Sequence, residues 1–530
     1  MHRSRRPAPR RLAALAALAS ALVLVTAACT VGPSRRPELA TAGPAVPAPT
    51  TSTASSTPRP TGPGGPGRTA APIEWTTCPA TVPAKSSDGT RFDIACAGVV
   101  VPVSYTDANQ GSFAVRIARA VHDGTSADAP PLIVLDDPGR AGRNSVADVA
   151  AALPDEIQSH FAVITVDLRG TGGSNGIDCV GDSTQRAVLG MAADPSSSKG
   201  TDQLNSIARQ LTFDCGDLVG ASLTQFNSTN AADDLDTLRA ALGVDALTIL
   251  GRHYGATIAA VYADRYPGRV QALALDSPTD PLTASDKGPS SAAAAAARLL
   301  TDFSAACSGF DGGCPLGADP TGAVTALVKK LATSGDKAGS WTITGGSVLL
   351  ALLHLLPDPG SWPTLATALA DLADGKAKPL SDLLVETMGG DSLPERLTGR
   401  ILYLCNDTAD RLTGSRLTDA VADARSASAL FGPFAVSLAG LCSSWPAPDE
   451  PLGRLTADGA PPILVIGSVN NPLHPYPGVQ SLAAQLASGV LLSWQSGTDG
   501  AYPANACVTK SVDDYLLHGT VPSLGVLCPP

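Results

Sequence analysis

The sequence predicts an α/β protein with a mostly parallel sheet that is covered by helices on both faces. Short apolar runs at 131–135, 161–167 and 247–251 are typical of strands buried on both sides, and further runs follow at 270–275 and 462–467. Helical spacing lies between them, as in Leu235, Leu238 and Leu242. The length of 530 residues is enough for a large core and an inserted module.

The N-terminus predicts export. Five arginines precede an apolar stretch, 12–28, that ends in small residues before Cys29. We interpret residues 1–28 as a lipoprotein-type signal peptide and Cys29 as the lipidated first residue of the mature chain. Thr26 stands where such signals usually carry leucine, so plain secretion is the alternative. An uncleaved span is disfavoured because the apolar run is short. The predicted location is the outer face of the cell membrane, held by a lipid anchor only, or secreted.

Composition divides the rest of the chain. Residues 29–72 are rich in Pro, Thr and Ala, which predicts a disordered tether because they cannot bury enough apolar surface. The ranges 73–281 and 400–530 are predicted to form the sheet-based core. The Ala- and Leu-rich range 282–399 is predicted to be an inserted helical cap.

Charge and cysteine content exclude some functions. A net charge of −11 argues against a nucleic-acid partner. The ten cysteines after Cys29 show no metal-ligand spacing, so we expect no metal and no cofactor, and an even number favours disulfides in an oxidising compartment. Their order suggests local pairs, although sequence alone does not determine the connectivity. The suggested pairs are Cys78 with Cys96, Cys179 with Cys215, Cys307 with Cys314, Cys405 with Cys442, and Cys507 with Cys528.

The segment LTILG-RHY-GATIAAVYADRYP, residues 247–267, predicts a strand, a tight turn and a helix. Gly251 and Gly255 flank the turn as the glycines do in the G-x-S-x-G nucleophile elbow of α/β hydrolases. The middle residue of that motif is the attacking serine. In this chain the middle residue is His253.

From Trp75 to Cys528 the chain resembles the secreted tripeptidyl aminopeptidases of actinobacteria, which are relatives of proline iminopeptidases. This resemblance implies the α/β-hydrolase fold with an inserted helical cap. The family's nucleophile, acid and base positions correspond here to His253, Asn471 and Asp499. The matching segments are 167–172, 227–243, 401–407, 442–446 and 515–528.

The oxyanion loop also departs from the family pattern. Asp136 and Asp137 stand where the family has glycines, before Pro138 and Gly139. Two carboxylates would oppose the negative charge that this loop and the N–H of Tyr254 should stabilise. We therefore predict a catalytically degenerate pseudo-peptidase whose cleft binds a peptide or small molecule. The alternative is a divergent secreted serine-type hydrolase that releases N-terminal peptides.

Several interpretations of His253 remain open at this stage. It could fill a vacated cleft beside Asp499, form a ligand-binding pair with Asp499, or join Asp136 or Asp137 and His474 in a metal site. Catalysis could also be rebuilt from His474 and a serine such as Ser145 or Ser277. His354 is interpreted as a packing residue of an apolar helix. The sequence does not determine the oligomeric state.

Overall fold

The structure is a computed structural model that describes residues 70–126, 128–140, 142–283, 287–332 and 335–530. The predicted signal peptide, Cys29 and the tether up to residue 69 lie outside these ranges. Within the ranges, no helix has both the length and the apolar character that a membrane span requires.

The central sheet has nine strands in the described ranges, in the order β1-β2-β4-β3-β5-β6-β9-β10-β11. β2 runs antiparallel to both of its neighbours, and all other pairs are parallel. A separate hairpin, β7-β8, lies in the inserted helical region. The strands are β1 Phe92–Pro102, β2 Ser112–His122, β3 Pro131–Leu135, β4 Ala162–Val166, β5 Leu247–Arg252, β6 Val270–Asp276, β7 Asp336–Ala338, β8 Trp341–Ile343, β9 Ile463–Ser468, β10 Gly489–Trp494 and β11 Val526–Cys528.

Helices cover the sheet and form the insertion between β6 and β9. The helices are α1 Val146–Ala151, α2 Asp155–His160, α3 Asp182–Leu189, α4 Ser198–Val219, α5 Ser228–Leu242, α6 Tyr254–Arg265, α7 Gly288–Cys307, α8 Pro320–Leu331, α9 Gly345–Leu355, α10 Trp362–Ala373, α11 Lys378–Met388, α12 Leu393–Asp407, α13 Gly414–Ala427, α14 Gly432–Ala439, α15 Tyr476–Gln485 and α16 Ala506–His518.

Alternate residues of the central strands enter two different cores. Along β3, Leu132 and Val134 belong to the core on one face, and Ile133 and Leu135 belong to the core on the other. Because strand side chains alternate between faces, a continuous apolar run is what a strand buried on both faces requires. The predicted two-sided parallel sheet is confirmed.

The inserted helices continue past the predicted end of the cap. The position between 399 and 400 falls inside α12, a single helix over Leu393–Asp407. Helices α13 and α14, which follow it, pack against α7. The division into a core of 73–281 and 400–530 and a cap of 282–399 stays a prediction.

All five disulfides join the cysteine pairs that the sequence order suggested. Each closes a loop of fewer than 40 residues, since the sequence separations run from 7 to 37. Disulfides persist in oxidising compartments, so this set is typical of an extracytoplasmic protein.

Candidate functional site

The turn between β5 and α6 presents His253 at its tip. Its backbone has φ 54° and ψ −127°, in the region that side chains rarely adopt. Neighbouring backbone leaves no room for side chains beside it: a Cβ at Gly251 would lie 2.6 Å from the Ala256 Cα, and one at Gly255 would lie 2.6 Å from the Leu135 carbonyl carbon. The geometry is the elbow that the sequence motif predicts.

The three positions predicted for a triad lie together. The His253 Nε2 atom is 3.4 Å from an Asp499 carboxylate oxygen. The other oxygen of Asp499 accepts a 2.7 Å hydrogen bond from the Asn471 side-chain amide. His253 is only 5% exposed, and its Nδ1 atom lies 3.1 Å from Asp136. The imidazole is thus held between two carboxylates.

These carboxylates determine the charge of His253. Burial opposes a positive ring, but Asp499 and Asp136 outweigh burial and raise the pKa of His253 to about 10. In turn, burial of Asp136 is outweighed by its hydrogen bond with His253 and by Arg252, which hold the pKa of that carboxyl well below its ordinary value. At neutral pH the tip of the turn therefore carries an imidazolium.

We expect the stability of the protein to fall with alkaline pH because of His253. A raised pKa means that the folded state binds the proton more tightly, so the stabilisation is complete below pH 6.5 and is lost as pH rises through 10. The full loss, from below pH 6.5 to above pH 10, is roughly 5 kcal/mol. Urea unfolding at pH 7 and pH 10, compared between the wild type and His253→Asn, measures it. An equally steep decline in both proteins would contradict the assignment.

Asp136 is already neutralised by arginines. Arg140 and Arg252 approach its carboxylate at 3.2 and 3.3 Å. Asp136, Asp137 and His253 have ligand atoms close enough to reach one metal ion in the described residues. Two guanidiniums and an imidazolium already surround the Asp136 carboxylate and oppose a further cation there, so the donor set does not fit a metal at neutral pH.

The backbone N–H of Tyr254 is occupied by a side chain. It donates a 3.0 Å hydrogen bond to the Asp137 carboxylate. In the elbow of this fold, the N–H that follows the nucleophile is an oxyanion donor. Gly139, two residues further along the loop, has φ 86° and packs so closely on α12 that a Cβ there would lie 2.4 Å from the Glu395 carbonyl oxygen. An internal carboxylate thus lies where a reaction oxyanion would be bound.

Comparison with known families agrees with this geometry. The family profile described as "alpha/beta hydrolase fold" matches residues 130–311, and the one described as "TAP-like protein" matches residues 427–528. The chain has the α/β-hydrolase fold and is similar to TAP-like proteins. It is 27% identical to "Serine protease Hip1" of Mycobacterium tuberculosis, over 86% of this chain and 91% of that protein. It is 27% identical to "Carboxylesterase B" of the same species, over 82% and 86%. It is also 26% identical to "Tripeptidyl aminopeptidase" of Streptomyces lividans, over 82% and 84%.

His474 is a second imidazole in this site. Its ring stacks on His253 with centroids 5.4 Å apart, and its Nε2 atom lies 3.8 Å from Asp499. Burial lowers the pKa of His474, and the charge of His253 adds to that effect although Asp499 opposes it, so the ring is neutral. Its Nδ1 atom lies 3.2 Å from the Thr279 hydroxyl. Of the two serines considered as alternatives with His474, Ser277 donates its hydroxyl to Asp276.

Sequence reasoning missed two further residues. His354 on α9 was assigned to packing, yet Asp499, Asp137 and His474 all act on its pKa, which burial and Arg400 lower to about 4. Asp276 ends β6 and accepts hydrogen bonds from the N–H groups of Ala501 and Tyr502. An acidic residue at the carboxyl end of a parallel strand was the available signal for Asp276. No local signal distinguishes His354 from a packing residue.

The side chain of Tyr254 is anchored separately from its N–H. Its hydroxyl donates to Asp407 at 2.6 Å, and Asp407 also accepts from the hydroxyl and backbone N–H of Ser228. Burial raises the pKa of Asp407 to about 6. Because Asp407 ends the cap helix α12, this contact ties the cap to the elbow.

Proposed function

We propose that this chain is an exported, lipid-anchored binding protein of the TAP-like family that has lost the peptidase chemistry of its scaffold. Its cleft takes up a peptide or a small molecule without cleaving it. The observation that carries the proposal is the buried imidazolium of His253 at the turn where an attacking hydroxyl is required.

An imidazolium has no lone pair on either nitrogen, so it neither attacks an acyl carbon nor accepts a proton. With a pKa of about 10, only about one molecule in a thousand carries a neutral ring at pH 7. Asp499 and Asn471, at the base and acid positions, provide no imidazole to activate another nucleophile. Three positions that must act as a unit are each unsuited to acyl transfer.

The oxyanion loop supports the same conclusion. Asp137 binds the Tyr254 N–H, so a tetrahedral intermediate would have to displace a carboxylate from this donor. Removing one such donor typically slows acyl transfer by about two to three orders of magnitude. Binding of an intact ligand makes no such demand.

Export and anchoring complete the proposal. The disulfides suit an oxidising compartment, and the predicted processing site at Cys29 would place a lipid ahead of the tether 29–72. The tether would then hold the folded domain away from the membrane.

We expect the purified full chain to hydrolyse a chromogenic tripeptide substrate at least about 10⁴-fold more slowly than an active TAP-like relative measured beside it. The reason is the absence of a hydroxyl or thiol at position 253. A fluorophosphonate probe should leave the chain unlabelled by intact-mass spectrometry. Turnover within about tenfold of the relative, or one probe bound per chain, would refute the proposal.

A reversion series provides the positive control. The first variant combines His253→Ser, Asn471→Asp and Asp499→His, and the second adds Asp137→Gly. Freeing the Tyr254 N–H should make the second variant about 10²- to 10³-fold faster than the first. Equal rates would show that Asp137 does not obstruct the oxyanion donor.

A second function, divergent hydrolysis, is favoured by one observation. Thr279, His474 and Asp499 form a hydroxyl–imidazole–carboxylate series, and Thr279 lines a cavity of about 250 Å³. Against it, the Asp499 carboxylate is 3.8 Å from His474, beyond hydrogen-bond distance, and is engaged by Asn471. Labelling that disappears in Thr279→Ala would establish this second function.

A further inference from the structure

The cap presents two arginines beside the oxyanion loop. Arg396 and Arg400 are four residues apart on α12, so they share one face of the helix. α12 packs directly on the loop, because a Cβ at Gly399 would lie 2.6 Å from the Pro138 carbonyl carbon. Burial and Arg140 lower the pKa of Arg396, although Asp136 and Asp137 oppose them, and burial and Arg400 lower the pKa of His354. Both arginines therefore lie within electrostatic range of the site around His253, Arg396 half-buried and Arg400 exposed.

Neither arginine has a protein partner in the part of the chain that the structure describes. No hydrogen bond or salt bridge joins Arg396 or Arg400 to another described residue, and the Nε atom of Arg396 is buried without an acceptor. The neighbouring carboxylate of Glu395 accepts from the Gly172 N–H instead. A buried donor without an acceptor is destabilising, and like charges four residues apart on a helix repel.

Arg396 and Arg400 add two positive charges to the site. Its four carboxylates otherwise face three cations. The carboxylates are Asp136, Asp137, Asp276 and Asp499, and the cations are His253, Arg140 and Arg252. With the two cap arginines included, an anion placed beside them would meet a small excess of positive charge rather than the acidic loop alone.

We propose that Arg396 and Arg400 bind the carboxylate of a ligand, and that this ligand is a peptide with a free C-terminus. A guanidinium pairs with a planar carboxylate through two parallel N–H donors, which is the geometry that fits such a terminus. This inference rests on the proposed function, because a chain that cleaved peptides would hydrolyse the bound peptide instead of holding it.

The test compares trialanine with its C-terminal amide, by calorimetry at low salt. We expect the free acid to bind at least about tenfold more tightly than the amide, and its affinity to fall as salt is added. Equal binding of acid and amide overturns the proposal. Inorganic phosphate that binds more tightly than trialanine also overturns it, because the site would then select a small anion rather than a peptide.

Variants of the two cap arginines test whether they cause the preference for the free acid. Arg396→Gln combined with Arg400→Gln should abolish the preference for the free acid. Arg416→Gln, at an exposed pair with Asp410, is the matched control and should retain it. If the double variant does not fold, Arg400→Gln alone serves as the test. It keeps the half-buried Arg396 and should still reduce the preference for the free acid. Retention of the full preference in both variants refutes the assignment, whereas hydrolysis of the chromogenic substrate would refute the proposed function instead.

Discussion

Replacing His253 with asparagine should lower the free energy of unfolding by roughly 3–5 kcal/mol, because Asp136 and Asp499, which are only 15% and 23% exposed, lose their shared cation. Asparagine tolerates positive φ, so the backbone at this turn is not strained further by the change. Chemical unfolding at pH 7 measures the effect.

His474→Asn is the matched control, since it removes a neutral ring from the same site. We expect it to cost only about 1–2 kcal/mol, mainly from a lost hydrogen bond and packing. Equal losses in the two variants would mean that His253 is not a charged centre. A gain in stability for His253→Asn would mean that Asp136 and Asp499 are satisfied without it.

Replacing Arg169 with methionine should destabilise the fold by a similar amount, roughly 3–5 kcal/mol. The Arg169 side chain is fully buried, with Asp234 at 2.6 Å, and it donates to the carbonyl oxygens of Val103 and Gln225. Its loss leaves Asp234 as an unpaired buried charge between the sheet and α5. Urea unfolding followed by circular dichroism gives the difference.

Two further variants identify the cause of the stability loss in Arg169→Met. Arg425→Met removes an exposed pair with Asp194 and should change stability by no more than about 1 kcal/mol. Adding Asp234→Leu to Arg169→Met should recover part of the loss, because no charge then remains buried. A double variant less stable than the single variant would show that packing, not the unpaired carboxylate, dominates.

Local pattern was enough to predict the elbow. Two glycines separated by three residues, between an apolar strand and a helix, determine a turn whose tip residue has positive φ, and His253 has it. Nearest-neighbour pairing of cysteines also matched the structure, because each disulfide links segments that are adjacent in the chain. Such features depend on residues that lie close together in the sequence.

The course of α12 and the surroundings of His354 were not predictable in this way. The apolar periodicity and the composition do not change between 393 and 407, so no local signal shows whether the helix ends there, and it continues. His354 lies among leucines in sequence, yet folding brings it within electrostatic range of Asp499, which is 145 positions away. Local sequence carries no information on contacts of that range.

The amino-acid sequence alone establishes which chemical groups stand at the predicted triad positions: an imidazole, an amide and a carboxylate at 253, 471 and 499. The ionisation and hydrogen bonding of these groups depend on the fold. The charge of His253 depends on two carboxylates that approach from distant segments, and the occupant of the Tyr254 N–H is a side chain from another strand's end. Electrostatic and hydrogen-bond energies depend on distance and burial, and both arise only when the chain is folded.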